Sequence, residues 1–304
     1  MNKTNYVNAV GYTPMNKLTA IIRQCRFYYA TLPLLAIISG FLLANNYTLF
    51  QLLLTSLSFT FIHCFESSVN NTYDVKSDKL SVIMRNQNPL ATGDLTLQEA
   101  RIINLVTPSL AILTSLFAGY YWTILIFVII GLVIIYDLKP LRLKDTPFEI
   151  FIVPFYTAFP FLFSYLNATS SITFSPLILF TVLFLFLNLV TDLRHIPDFE
   201  LDLQRGARTF TVTFGVEATR KLELITSLFT LGSLIVAVFL GFLSVLGLPL
   251  LVLTTFFKIN ILVNHYEALK DPHIWRRFSQ AMITNIGAMI LSILGTIMSI
   301  GIFF

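Results

Sequence analysis

The sequence predicts an all-α, polytopic membrane protein with nine transmembrane helices. Of its 304 residues, 56% are hydrophobic and only 12% are charged, whereas soluble domains carry about 25% charged residues. Apolar runs of about 20 residues, each long enough to cross the hydrocarbon core of a bilayer, alternate with polar breaks. We place the runs at roughly 27–45, 48–70, 100–118, 120–138, 148–166, 173–193, 222–241, 245–263 and 279–303.

The distribution of charge predicts the orientation of these helices. The connections after the first, third, fifth and seventh runs, and the C-terminus, contain no Asp, Glu, Lys or Arg. Every charged residue except Lys258 lies in the N-terminal segment, in the other connections or at the helix ends beside them. The positive-inside rule therefore predicts a cytoplasmic N-terminus and a C-terminus outside.

The same distribution limits the partners of the protein. The net charge of +4 belongs to one membrane face, so it indicates the lipid bilayer and no nucleic acid; the sequence does not indicate an oligomeric state. Cys25 and Cys64 fall on or beside apolar runs, and we interpret them as small packing residues rather than as a disulfide or metal ligands.

A row of oxygen ligands ends the second run. Asn70, Asp74 and Asp78 are spaced i, i+4, i+8, which spreads them over about 80° of one helix face. Carboxylates this close repel each other unless a cation lies between them, and hard oxygen ligands without Cys or His favour magnesium or calcium over zinc. His63 and Glu66 extend the row into the apolar run, where an ionisable group is a candidate for function, although His63 equally fits a packing histidine.

The loop that follows this row has a turn and a helix start. Arg85 precedes the segment NPLATGDLT, in which Gly93 predicts a turn and Thr96 with Glu99 predicts a capping box at the start of the third span. Arg85 is a candidate contact for an anion, and a solvated loop arginine is the alternative.

The next charged connection, YDLKPLRLKDTPFE, is short and basic. Its cations either satisfy the positive-inside rule or hold phosphate oxygens. The connection contains Tyr136 and three cations suited to the second role, Lys139, Arg142 and Lys144.

A second polar row ends the sixth run. On a continuous helix Asn188, His195, Asp198 and Asp202 would lie within about 80° of each other, with Asp192 about 40° beyond Asn188. Pro197 predicts a kink or an interruption of that helix. The row is followed by three further residues of interest, Arg205, Gly206 and Arg208.

Two carboxylate rows with basic connections around them and an apolar chamber beneath suit a substrate that is a diphosphate at one end and a hydrocarbon at the other. A magnesium ion on each row would neutralise the leaving group as the carbon–oxygen bond breaks, and the basic residues would hold the departing oxygens. An allylic carbocation remains, to which Tyr73 and Tyr136 could present ring faces.

These motifs, in this order, resemble the UbiA superfamily of intramembrane prenyltransferases over nearly the whole chain. The matching segments are N-x-x-x-D-x-x-x-D from Asn70 to Asp78, the loop from Arg85 to Gly93, Y-x-x-x-P-L-R-x-K from Tyr136 to Lys144, and an Asp-rich motif ahead of Gly206, Arg208 and Thr209. The resemblance implies one transmembrane prenyltransferase domain over residues 1–304, which transfers an alkyl group other than methyl and opens to the cytoplasmic face.

The resemblance also implies roles for single residues. Asn70, Asp74, Asp78, Asp198 and Asp202 are expected to bind magnesium diphosphate. Arg85, Arg142, Lys144 and Arg208 are expected to help hold the diphosphate, and Lys139 belongs to the same basic connection.

The second motif departs from the commoner family pattern D-x-x-D-x-x-x-D. Alignment on Asp198 and Asp202 puts His195 at the first position, so either His195 replaces a carboxylate or Asp192 supplies one from a turn earlier. The segment HIPDFELD is similar to the version found in the lycopene elongase branch, whose acceptors are carotenoids. Quinone precursors, chlorophyll-type acceptors and archaeal ether lipids stay open.

Two other function classes compete with prenyl transfer. An ion-coupled transporter could use the acidic rows as cation sites, but its ligands should lie near the bilayer midplane on broken helices. The two rows are instead predicted at the cytoplasmic ends of their spans. A membrane phosphotransferase for nucleotide-linked alcohols would contain an Asp-Gly pair, which this sequence lacks.

Overall fold

The computed structural model describes residues 15–79, 82–191, 195–241, 248–271 and 274. Among these residues the regular structure is helical, and no strand occurs. The α-helices, numbered in chain order, are α1 Lys17–Cys25, α2 Thr31–Ala44, α3 Leu49–Asp78, α4 Val82–Gln87, α5 Pro89–Thr92, α6 Leu97–Ala118, α7 Tyr120–Asp137, α8 Glu149–Thr169, α9 Phe174–Thr191, α10 Phe199–Gln204, α11 Phe210–Phe214, α12 Val216–Phe239 and α13 Leu248–Asn264.

The long helices coincide with the first eight predicted spans, and the ninth, 279–303, lies outside the described residues. The helix of the second span, α3, is 30 residues long and continues beyond position 70 through the whole acidic row, as the spacing of that row predicts. In the described part of the chain, six helical stretches are long and apolar enough to cross a membrane: Lys17–Ala44, Leu49–Asp78, Leu97–Ala118, Tyr120–Asp137, Glu149–Thr169 and Val216–Phe239. The all-helical membrane class is confirmed, while the count of nine and the orientation stay predictions.

Close helix packing builds the core. α2 packs against α8, where a Cβ on Gly40 would lie 2.1 Å from Ser164 Oγ and 2.3 Å from the Phe161 carbonyl oxygen; only glycine permits this approach. α3 packs against α6 and α7, and its buried Phe59 belongs to one core cluster with Trp122 of α7. Van der Waals contacts between the closely packed helices stabilise this arrangement, because lipid tails are as apolar as these side chains.

Three of the uncharged connections, 46–47, 119 and 167–172, meet at one end of the described bundle. Asn167, near the end of α8, donates from Nδ2 to the Ala118 carbonyl at 2.9 Å and accepts at Oδ1 from the Trp122 amide at 3.3 Å. Its own carbonyl accepts from Gln51 Nε2 at 3.4 Å. These bonds satisfy backbone groups at the ends of α6 and α8 and the start of α7. The charged connections therefore lie at the opposite end.

Two expectations about the N-terminal half have different outcomes. The capping box of α6 is confirmed, because Glu99 N donates to Thr96 Oγ1 at 3.2 Å and Thr96 N donates to Glu99 Oε2 at 2.7 Å. The interpretation of Cys25 and Cys64 as packing residues is wrong, because the structure joins them in a disulfide with their Cα atoms 4.1 Å apart. The physical reason is that α1 folds back onto α3, a contact between distant segments that the sequence does not reveal.

Candidate active site

The first acidic row lies on the last turns of α3, and Asp74 is its central residue. One carboxylate oxygen, Oδ1, accepts from Arg142 Nη2 at 2.9 Å, and the other, Oδ2, accepts from Lys144 Nζ at 2.8 Å. Both cations come from the basic connection between α7 and α8. The structure thus brings together the first acidic motif and two of the predicted phosphate-binding residues.

Asp137, which we did not predict as a site residue, completes this cluster. Its side chain is fully buried at the end of α7, and Oδ1 accepts from Lys144 Nζ at 2.6 Å and from Asn70 Nδ2 at 3.0 Å. Lys144 is therefore shared between the carboxylates of Asp74 and Asp137. The other oxygen of Asp137, Oδ2, is buried without a hydrogen bond.

Asp78, the last residue of the row, contacts the loop after α3 through Asn88. The side-chain nitrogen of Asn88, Nδ2, donates to Asp78 Oδ2 and to the Asn71 carbonyl, both at 2.8 Å. The side-chain oxygen, Oδ1, accepts from the Leu90 backbone amide at 3.0 Å, so Asn88 is the N-cap of α5. The turn that we predicted at Gly93 is present, with a φ of +88°. Asn88 thus fixes the loop and Asp78 to each other.

Replacing Asn88 by aspartate should destabilise this part of the protein. The variant would place a second carboxylate beside Asp78 and remove both amide donations, so we expect a loss of about 1–3 kcal/mol in stability, measured as a lower midpoint of thermal unfolding. Asn86→Asp is the matched control, because Asn86 is exposed two residues away. Equal midpoints for the two variants would contradict the assigned role of Asn88.

The basic connection joins the first row to the second. Arg142 adopts a left-handed backbone conformation, with a φ of +38°, and its Nε donates to Asp145 Oδ2 at 2.5 Å while Nη2 contacts Asp74. The Asp145 carbonyl accepts from the Arg208 amide at 2.7 Å, and Arg205 Nη2 lies 3.9 Å from Asp145 Oδ1. This chain of contacts connects α3 with the segment that follows α10.

The second motif is interrupted, as Pro197 predicts. α9 ends at Thr191, and a turn that contains Pro197 precedes α10. Asp202 is buried on α10, where its Oδ2 lies 3.1 Å from His195 Nδ1 and its Oδ1 accepts from Arg205 Nη2 at 2.9 Å. The other ring nitrogen of His195 contacts Glu149, a buried residue at the start of α8 that we did not predict. His195 thus lies between two carboxylates.

The remaining predicted residues differ in their exposure. Asp198 is half-buried at the start of α10, and Tyr136 is half-buried at the end of α7, whereas Tyr73 is 47% exposed. Asp192 and the side chain of Asn188 lie outside the described residues. Three predicted phosphate contacts have side chains without a hydrogen bond or ion pair to another described residue: Arg85, Lys139 and Arg208.

The carboxylates hold protein cations. Among the described residues, no group of three or more His, Cys, Asp or Glu side chains is arranged to hold a metal ion. The donor set nevertheless fits magnesium, because it consists of hard carboxylate and amide oxygens, and two buried carboxylate oxygens, Asp137 Oδ2 and Asp145 Oδ1, have no hydrogen bond. The site therefore contains both the oxygens for a divalent cation and the cations for an anion.

Comparisons with known proteins identify a family and similar folds. The family model of the UbiA prenyltransferase family matches residues 33–294, while none of the curated proteins matches the chain. A UbiA homologue from Archaeoglobus fulgidus bound to GPP and Mg²⁺ has a similar fold, with a TM-score of 0.71 and 19% identity over 91% of this chain and 99% of that one. A digeranylgeranylglyceryl phosphate synthase is similar with a TM-score of 0.69 and 19% identity over 93% of this chain and 99% of that one. An apo UbiA homologue from Aeropyrum pernix K1 is similar with a TM-score of 0.70 and 14% identity over 87% of this chain and 98% of that one.

Proposed function

Because the chain belongs to the UbiA prenyltransferase family, we propose that it transfers a prenyl group from a prenyl diphosphate to a lipophilic acceptor within the membrane, with Mg²⁺ as its cofactor. The observation that carries this proposal is the junction of Asp74, Arg142 and Lys144 at the charged end of an apolar helical bundle. The cations of Arg142 and Lys144 would bind a diphosphate, the carboxylate of Asp74 would bind a metal ion, and the apolar bundle would accommodate a prenyl chain.

The cofactor would be held by Asn70, Asp74 and Asp78 on the first row and by Asp198 and Asp202 on the second, with Asp192 as a further candidate. Bound there, magnesium would supply charge neutralisation for the diphosphate leaving group. This assignment is supported by the oxygen donors of both rows, and by the relatives from Archaeoglobus fulgidus, whose structures hold GPP or DMAPP together with Mg²⁺.

Arg142 and Lys144 act as counter-ions that change partners. Without substrate they neutralise Asp74, and with substrate they hold diphosphate oxygens by charge-assisted hydrogen bonds. The side chains of Arg85, Lys139 and Arg208 make no hydrogen bond or ion pair to another described residue and are available as further anion contacts. As the carbon–oxygen bond breaks, negative charge grows on the diphosphate and these bonds strengthen, which stabilises the transition state more than the bound substrate.

Aromatic side chains shield the prenyl cation from water. The rings of Phe155 and Phe159 on α8 stack with centroids 3.5 Å apart, and Phe159 meets Phe180 of α9 edge to face at 4.9 Å. Tyr136 at the end of α7 and Tyr73 on α3 lie nearer the charged end. Ring faces attract a cation without forming a bond to it, so this lining protects the allylic cation until the acceptor attacks.

The topology completes the proposal. Nine spans with a cytoplasmic N-terminus would place both carboxylate rows at the cytoplasmic ends of even-numbered spans, so the active site would open to the cytoplasm and the acceptor would enter from the bilayer. The uncharged opposite end, tied together by Asn167, supports this orientation through the positive-inside rule.

The acceptor class is the part of the function that an assay must decide. Full-length protein in membranes should be incubated with Mg²⁺, a labelled prenyl diphosphate and one acceptor at a time: lycopene, an aromatic acid or a glyceryl ether lipid. We expect a prenylated product with one class, and the HIPDFELD segment favours the carotenoid. Product on the aromatic acid alone would exclude the carotenoid assignment. If no acceptor gave a prenylated product and no diphosphate were released, prenyl transfer itself would be contradicted.

A further inference from the structure

A polar cluster beside the first carboxylate row has no part in the mechanism above. It consists of His63 and Glu66 on α3 and Tyr156 on α8. Glu66 precedes Asn70 by four residues and therefore shares its helix face. The side chain of Glu66 is 28% exposed and that of His63 only 5%. An ionisable group at this depth is costly, which makes a function the first hypothesis.

Charged and polar groups on other helices lie close to Glu66. It lies near enough to the Asp137 carboxylate at the end of α7 and to the Tyr156 hydroxyl to interact electrostatically with both. His63 and Tyr156 also pack against the ring of Phe59, with centroid distances of 6.4 Å and 5.5 Å. Glu66 thus lies beside both Asp137 of the first cluster and these aromatic rings.

The partners of His63 define which of its nitrogens carries the proton. Nε2 lies 3.2 Å from the Arg26 carbonyl oxygen, which can only accept, so Nε2 is the donor. In the neutral ring Nδ1 is then an acceptor, and the Tyr156 hydroxyl donates to it at 3.3 Å. The tautomer follows from this network of partners.

This tautomer prepares Glu66 to receive a proton. Glu66 Oε2 lies 3.6 Å from His63 Nδ1 and accepts from Ser67 Oγ at 3.2 Å. A carboxylate oxygen and an unprotonated ring nitrogen are both acceptors, so they form no hydrogen bond with each other. Nδ1 has one lone pair, so a proton that arrives on Oε2 can be donated to it once the Tyr156 hydroxyl turns to another partner and the two atoms approach from 3.6 Å.

We propose that Glu66 is the general base that removes the proton which the acceptor loses on prenylation, with His63 and Tyr156 as its positioning residues. The proposal rests on the proposed function. The carbon–oxygen bond of the donor breaks, and its electron pair leaves with the diphosphate. The acceptor forms the new bond to the prenyl carbon from a π bond or an oxygen lone pair. Its C–H or O–H bond then breaks, the electron pair stays on the product, and the proton moves to Glu66 Oε2.

The test is the Glu66→Gln variant of the full-length protein, assayed with geranyl diphosphate, Mg²⁺ and the acceptor that wild-type protein prenylates best in the panel above. A general base contributes about 10²–10⁴-fold, so we expect product formation to fall at least about 100-fold. Diphosphate release should stay within about threefold of wild type, because the binding and ionising residues are untouched. The cation would then be captured by water, and prenyl alcohol should become the main product.

The ratio of alcohol to product separates a base from a structural residue. A structural defect would lower diphosphate release and product together, and that outcome would overturn the assignment, as would unchanged product formation. Glu217→Gln is the matched control, because Glu217 is an exposed glutamate paired locally with Arg220. If Glu66→Gln does not fold, Glu66→Asp provides the same test, with a smaller shift toward alcohol. Wild-type protein without diphosphate release would contradict the proposed function itself, whereas a normal ratio in the variant contradicts only the role of Glu66.

Discussion

Replacement of Asp74 by alanine should abolish prenyl transfer while the protein still inserts into the membrane. Both oxygens of Asp74 are engaged, by Arg142 and by Lys144, so the variant loses the residue that connects the cationic and the metal-binding halves of the site. Loss of a single electrostatic stabiliser commonly costs 10²–10³-fold in rate, and a metal ligand that also organises two cations should cost at least about 10³-fold. Transfer of label from the prenyl diphosphate to the acceptor measures the effect.

Two further variants make this result interpretable. Asp198→Ala should have the same outcome, since it removes a proposed ligand from the second row. Glu217→Ala, which removes an exposed carboxylate outside the site, should retain wild-type activity. Insertion and folding are checked by yield in the membrane fraction and by the midpoint of thermal unfolding. Full activity of either aspartate variant would rule out the metal assignment of its row.

The features that sequence patterns predicted correctly are local ones. The i, i+4, i+8 spacing of the first row needs only one continuous helix, and α3 provides it through Asp78. The capping box from Thr96 to Glu99 spans four residues, and the interruption at Pro197 follows from the missing amide hydrogen of proline. Each of these depends on residues within one or two helical turns, where the backbone fixes the geometry.

The features that the sequence did not reveal depend on contacts between distant segments. Asp137 is a single acid at the end of an apolar run, and its importance becomes visible only when Asn70 and Lys144 meet it. Asn88 and Glu149 are similar cases, since their partners Asp78 and His195 come from other elements. A buried polar side chain without a local partner was the available signal, because such groups must be paired somewhere.

The second motif illustrates how a pattern can conceal a role. Alignment put His195 at the first position of the motif, so either His195 replaces a carboxylate ligand or Asp192 supplies one, and the structure puts His195 between Asp202 and Glu149. The ring bridges the two acids and so connects α10 with α8. In this arrangement His195 orients Asp202, and the question of whether Asp192 supplies a ligand concerns residues outside the described ranges.

Lys144→Ala should weaken binding of the prenyl diphosphate and also destabilise the protein, by two separate routes. A hydrogen bond to a charged group contributes about 1.5–3 kcal/mol, so loss of the ammonium should raise the dissociation constant of the donor about 10- to 100-fold. The same change leaves the fully buried Asp137 without its cation, and breaking one partner of a buried ion pair costs about 3–5 kcal/mol. Lys76→Ala, at an exposed position on α3, is the control for removal of a lysine.

A second substitution separates these routes. In Lys144→Ala/Asp137→Asn the buried charge is gone, and the neutral amide can still hydrogen-bond Asn70, so the midpoint of thermal unfolding should recover most of its loss. Donor affinity, measured calorimetrically with Mg²⁺ present, should stay low, since no cation replaces Lys144. Recovery of both quantities would mean that Lys144 only neutralises Asp137 and does not hold the diphosphate. Recovery of neither would mean that the Asp74 contact, rather than the Asp137 contact, dominates the stability of the site.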